Sequence, residues 1–109
     1  MPLTIQGELL YMKLVRDYIP KIIIDSGRGC EYFRIESDDQ HMAFLKEKMI
    51  EELNEFMAEP CEEEAADMLE VLLSMLKIKG INFEEVEDVA FTKRLERGSF
   101  NDGFVLVKC

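Results

Sequence analysis

The sequence predicts an all-α protein: a small antiparallel helical bundle built around an acidic helix hairpin, with a minor two-stranded β element tying the chain ends. Three observations carry this. Residues 44–78 read FLKEKMIEELNEFMAEPCEEEAADMLEVLLSMLKI and interleave apolar positions with ten acids between Glu47 and Glu70. Glu59-Pro60 breaks that run, because proline disfavours helix in the residue before it and suits a first helical position. Ser37 with Gln40 and Asn82 with Glu85 form capping-box patterns, and Gly80 and Gly98 stand where helices stop. With so short a turn, the two acidic helices fold back as an antiparallel hairpin.

Residues 1–10 read as an N-terminal extension with no periodic pattern, and residues 11–109 as a single helical domain. YMKLVRDYIPKIIIDSGRG holds a short helix, with Asp17 as its cap, Pro20 in its first turn and Ser26-Gly27 at its end. Lys13, Arg16 and Asp17 precede it and, taken alone, are surface charges at a helix entry. CEYFRI (residues 30–35) alternates weakly like a strand, and FVLV (residues 104–107) is its partner. The first acidic helix runs from the Ser37 cap to about Met57, the second from near Pro60 to Gly80, and a last helix from Asn82 to about Arg97.

Composition narrows the function classes. About half the residues are apolar, which supports a core, though a small one that leans on a partner chain. The formal charge of −10 argues against nucleic acid and anionic membrane as partners, since both need basic surface, and suits a site that concentrates cations. Cys30, Cys61 and Cys109 show neither a disulfide framework nor paired metal-ligand spacing, so they read as small buried hydrophobes of a cytoplasmic protein. No apolar run is long enough to span a membrane, and the N-terminus has no signal-peptide pattern. His41, the one histidine, reads as a surface residue at a helix start. Gly-rich phosphate loops, Cys/His zinc patterns and Ser/His/Asp groupings are absent.

The hairpin carries the chemistry. Centred between Glu59 and Pro60, the turn lies equally far from Glu55 and Glu64, and from Glu52 and Asp67. Equal distances mean equal heights in an antiparallel pair. Two carboxylates three apart on one helix therefore face two carboxylates three apart on the other. On the helical wheel Glu52 falls inside the arc of Leu45, Met49 and Phe56, with Glu55 on its border. Glu64 and Asp67 share a face with Met68, Val71, Met75 and Ile78. Four acids pointing where apolar residues point repel one another and resist losing water. A hard divalent cation with oxygen ligands, Mg²⁺ or Mn²⁺, relieves that cost. The competing reading, a solvated acidic face, accounts for Glu47, Glu59, Glu62 and Glu63 but poorly for Glu52.

A second anomaly lies on the last helix. Lys93 and Arg97, four apart, share the face of Val86 and Ala90. They are either a clamp for phosphate or carboxylate, or snorkelling side chains near a helix C-terminus. Phe91 and Leu95 lie on the opposite side, so the helix has two apolar faces, more than one small bundle can bury.

A carboxylate cage with basic residues nearby is a kit for metal-assisted phosphate chemistry. Glu51-Glu52-x-x-Glu55 followed by Glu64-x-x-Asp67 resembles the paired acidic motif of the MazG-like all-α NTP pyrophosphatases. More narrowly, the chain resembles the phosphoribosyl-ATP pyrophosphohydrolase-like branch, through its opening Lys13-Leu14-Val15-Arg16-Asp17-Tyr18-Ile19-Pro20 and its closing Lys93-x-x-x-Arg97-Gly98-x-Phe100. The resemblance spans nearly everything from Tyr11 to Leu106. It implies Mg²⁺-dependent hydrolysis of a nucleoside triphosphate to monophosphate and pyrophosphate. It further implies Glu52, Glu55, Glu64 and Asp67 as metal ligands and Glu51 as the residue that holds or deprotonates the attacking water. Lys93 and Arg97 would then meet phosphate oxygens, with Lys13, Arg16 and Asp17 lining the nucleotide's approach. Homodimers or homotetramers with sites at subunit interfaces are implied as well. Ser99 stands where the closing motif has glycine, and the link between the acidic motifs is shorter than in many MazG-like proteins.

Three functions remain open on the sequence. The first is a Mg²⁺-dependent NTP pyrophosphohydrolase in nucleotide-pool housekeeping. The second is the phosphoribosyl-ATP pyrophosphatase of histidine biosynthesis, by the same chemistry. The third is a non-catalytic helical interaction module, against which the four intact acids count.

Overall fold

Capping chemistry sets the helix boundaries in the computed structural model, which describes the backbone of residues 2–5 and 8–109 and the side chains of residues 12–109. Helix α2 spans Asp38–Ala58, and the Ser37 side chain at its N-cap accepts the Gln40 N–H at 3.1 Å. Helix α4 spans Phe83–Arg97, where the Asn82 side chain accepts the Glu85 N–H at 3.1 Å. Each bond satisfies one of the donors that a helix start leaves open. Helix α3, Glu62–Lys79, has Cys61 at its N-cap without a side-chain bond. Its first turn carries Glu62, Glu63 and Glu64, which favour the positive end of the helix dipole. It closes at Gly80, left-handed at φ 68°, with Ile81 N–H donating to Leu76 carbonyl at 2.9 Å in a Schellman arrangement.

Helix α1, Ile19–Asp25, follows the expected course with two differences. Pro20 lies in its first turn, but the N-cap is Tyr18 rather than Asp17, and no side chain bonds there. Ser26 ends it, and Gly27 leaves with φ 88°. The second acidic helix also begins later than expected. Pro60 precedes the N-cap instead of opening the helix, so residues 59–61 form the connection.

The expected strand pair between residues 30–35 and 104–107 does not form; both segments lack regular structure. Extended, unpaired backbone is what alternation alone permits when no partner strand is within reach. Pairing occurs instead at the N-terminus, where β1 (Pro2–Ile5) and β2 (Glu8–Tyr11) run antiparallel with Leu3 opposite Leu10.

Apart from this pair every regular element of the described chain is a helix. Helices α2 and α3 pack along each other, and no other pair of helices makes extended contact. The apolar stripe expected on α2 meets that on α3: Leu45 is 2% exposed and Val71 7%. The third buried residue among those described is Glu52, at 5%. Around this narrow core the chain is open. Its accessible surface of 9960 Å² compares with about 6,200 Å² for a folded monomer of this mass. Its radius of gyration of 18.2 Å compares with about 13 Å. Phe91, Leu95, Phe100 and residues 104–107 lie bare to solvent. Cys30 and Cys61 are half-buried and Cys109 is exposed, so none of the three is the fully buried residue expected.

Among the described residues, no helix is long and apolar enough to cross a membrane.

Candidate metal centre

The register of α2 against α3 brings four carboxylates together. Glu52 and Glu55 from α2 and Glu64 and Asp67 from α3 each offer an oxygen within 4.8 Å of all the others. The half-residue offset of the real turn centre does not disturb the pairing, because the side chains span it. Glu52 is buried, Glu64 and Asp67 half-buried, and Glu55 exposed.

Helix α2 divides its acids by face. The stripe of Leu45, Met49, Glu52 and Phe56 turns toward α3, while Glu47 and Glu51 lie on the adjoining stripe with Phe44, Lys48 and Asn54. Burial pushes the Glu52 carboxyl above its ordinary pKa and neighbouring Glu55 adds to that, while Lys48 pulls it back. At Glu51 burial acts upward too, but Lys48 and Lys13 together outweigh it and hold the carboxyl below its ordinary value.

Two side-chain oxygens in the cluster are buried without a hydrogen-bond partner, Glu52 Oε2 and Glu64 Oε2. An anionic oxygen in that condition is costly. A divalent cation among four carboxylates removes the cost, and oxygen-only donors match hard cations. The residues present thus fit a metal ion, and the solvated-face alternative does not describe Glu52 or Glu64.

Basic residues reach the cluster from two directions. Lys48, one turn before Glu52 on α2, places Nζ 3.3 Å from Glu52 Oε1 and 3.5 Å from Glu51 Oε2. The segment before α1 crosses the hairpin: Lys13 Nζ lies 3.3 Å from Glu51 Oε1, and Arg16 Nη2 lies 2.6 Å from Asp67 Oδ1. Lys13 and Arg16, expected to line an approach, therefore meet the acids directly. Lys48 was not singled out by sequence reasoning, although its spacing of three and four from Glu51 and Glu52 is the signal for a helical ion pair.

Lys93 and Arg97 stand apart. Helix α4 has no buried residue and no extended contact with α2 or α3. Within one chain their shared face is thus not a packed face, and neither takes part in an ion pair among the described residues. Asp17 and His41 are likewise not among the residues the cluster gathers.

No family model matches the chain, and no curated protein or solved structure matches it either.

Proposed function

We propose that the chain is a Mg²⁺-dependent nucleoside triphosphate pyrophosphohydrolase, converting NTP to NMP and pyrophosphate in nucleotide-pool housekeeping. The observation that carries this is the buried, partnerless Glu52 Oε2 inside a four-carboxylate group. Glu52, Glu55, Glu64 and Asp67 would hold Mg²⁺, or Mn²⁺ in its place, on an antiparallel helix hairpin. When bound, the cation supplies charge neutralisation at the phosphates and lowers the pKa of water.

The chain's own residues do the rest. Glu51, kept ionised by Lys48 and Lys13, accepts a hydrogen bond from the attacking water and orients it. Its lowered pKa makes it better at positioning that water than at keeping its proton. Oxygen from water joins the α-phosphorus while its proton passes by way of Glu51 to solvent, the bridging bond to the β-phosphate breaks, and pyrophosphate leaves. Lys13 and Arg16 exchange their carboxylate partners for phosphate oxygens as nucleotide enters. Lys93 and Arg97 neutralise the departing pyrophosphate.

In one copy those last two residues have no route to the cluster. The bare surface supplies one: the excess over a folded monomer is several times the ~800 Å² each partner gives a standard interface. A homodimer or homotetramer that covers Phe91 and Leu95 would bring α4 of one copy to the hairpin of another.

The test is product analysis by ion-exchange chromatography after incubating the purified protein with Mg²⁺ and a nucleotide panel. Monophosphate and pyrophosphate in equal amounts are expected. Orthophosphate and diphosphate as primary products, or no turnover of any nucleotide, would overturn the reading.

A further inference from the structure

The stripe of α2 that does not face α3 borders a cavity of about 280 Å³ beneath the segment that precedes α1. Met12, Leu14, Phe44 and Glu47 line it together with Glu51 and with Lys48, which also reaches Glu52 of the acid cluster. We propose that this cavity is the nucleobase subsite and that Glu47 selects bases carrying an exocyclic amine. The orientation of the nucleotide rests on the pyrophosphohydrolase reading; recognition of the base does not.

Size and composition argue for a base. The volume falls just below the range of pockets that enclose a drug-sized ligand, so it takes a flat ring and leaves the ribose and phosphates outside. Phe44 is half-buried and braced edge-on by Phe33, with ring centroids 6.4 Å apart and planes at 71°. A braced aromatic ring gives a base a flat face to stack on. Met12, 54% exposed, also lines the cavity and offers a soft apolar cover.

Register along the helix argues for the same occupant. From Phe44 to Glu51 is seven residues, or about 10 Å of rise. That is about the end-to-end length of a nucleoside monophosphate, so a base on Phe44 leaves its phosphate toward Glu51 and the acid cluster. Lys48 and Lys13 then meet the negative end of the ligand, not its base.

Glu47 decides between bases. It is exposed, lies one turn from Phe44 on the same stripe, and makes no ion pair among the described residues. An ionised carboxylate only accepts hydrogen bonds. Adenine and cytosine offer it an amino group at the position where hypoxanthine and uracil present a carbonyl oxygen that it repels; only the neighbouring ring N–H of the latter two can still donate, which keeps the preference moderate.

The experiment is an amide ¹H–¹⁵N NMR titration of the full chain in EDTA with adenosine, inosine, cytidine and uridine. Adenosine is expected to bind about tenfold tighter than inosine, and cytidine about tenfold tighter than uridine. Shifts should centre on Met12, Leu14, Phe44 and Glu47. Glu47→Gln, a surface change that leaves the fold intact, should bring both ratios within about twofold, because the amide both donates and accepts. No nucleoside binding, shifts centred elsewhere, or equal affinities within each pair would overturn the proposal. So would shifts of the same amides on protein dilution without nucleoside, which would make the cavity a contact with a second copy. Calorimetric titration of the same samples with Mn²⁺ reports on the acid cluster separately, so either assignment can fail while the other stands.

Discussion

Lys48 Nζ lies 3.3 Å from Glu52 Oε1, and this pair is the most buried ion pair of the described chain, with side chains 18% and 7% exposed. The metal-free protein thus carries its own cation at the edge of the acid cluster. Lys48 satisfies one oxygen of Glu52 and leaves the other, Oε2, without a partner.

Removing Lys48 should expose what it compensates. Lys48→Met leaves Glu52 as a buried charge without a counter-ion and should cost the metal-free protein about 2–4 kcal/mol. In a Glu52→Gln background the same change should cost less than about 1 kcal/mol, since the charge to be balanced is gone. A double-mutant cycle by urea denaturation measures the coupling. Equal costs in both backgrounds would show the pair to be energetically idle.

The Glu52 shift fixes a sign for the pH dependence. Its carboxyl is raised by burial, so the folded state holds this proton more tightly than the unfolded one. Stability of the metal-free protein then falls as pH rises from the unfolded value through the folded one, and the loss is complete above that. Glu52→Gln removes this proton. The stability of the variant minus that of wild type should therefore climb as pH rises through the folded value of Glu52 and level off above it. Glu51, with its lowered pKa, acts oppositely: its contribution is present at neutral pH and lost as pH falls through its folded value. A difference between wild type and Glu52→Gln that shrinks with rising pH would contradict the assignment of Glu52 as a carboxyl raised by burial.

Arg16 competes for one of the proposed ligands. Its guanidinium is 2.6 Å from Asp67 Oδ1 and more than half exposed, so the pair itself stabilises little. Its charge still opposes a cation entering the cluster. Arg16→Gln should tighten Mn²⁺ binding about three- to tenfold in the absence of nucleotide while lowering kcat/KM. Isothermal calorimetry gives the first quantity. Weaker Mn²⁺ binding in the variant would mean that Arg16 supports Asp67 rather than competing for it.

Much of the site could be read in the chain because helical registers are short-range arithmetic. The spacing 52/55 against 64/67 needs only two helices and a tight turn, and an offset of half a residue does not change which side chains meet. The break at Pro60, the caps at Ser37 and Asn82, and the stop at Gly80 are all local. The Lys48 pairing is local in the same way, since it stands three and four residues before Glu51 and Glu52. The strand expected at residues 30–35 and the packed face expected for Lys93 and Arg97 failed for another reason. Alternation and amphipathicity state that a face needs covering; they do not say by what. For α4, with Phe91 56% and Leu95 73% exposed, no described residue covers it.

A second copy is the expected cover. Phe91→Asp with Leu95→Asp should convert a dimer or tetramer to monomer in sedimentation-velocity runs and remove the concentration dependence of its melting temperature. If the wild type is monomeric at tens of micromolar, the α4 face has some other partner.

The last expectation joins assembly to chemistry. Arg97 lies on a helix that makes no extended contact with the acid hairpin of its own chain, yet the proposed reaction needs a cation on the leaving pyrophosphate. If Arg97 serves the hairpin of a partner, Arg97→Ala should lose about 2–4 kcal/mol of transition-state binding, as for a desolvated charged hydrogen bond. Glu52→Gln should abolish turnover by damaging the hairpin itself. Co-refolding the two inactive variants in equal amounts then has a defined outcome. In a two-fold symmetric dimer each mixed pair carries one site with both defects and one with neither. Random mixing should restore about a quarter of wild-type pyrophosphate release. Mass spectrometry under native conditions confirms that mixed oligomers form. Mixed oligomers without recovered activity would place Arg97 and Glu52 in the same chain's site. Arg97→Ala with undiminished pyrophosphate release would make its side chain a cation at a helix end, favoured there by the dipole alone.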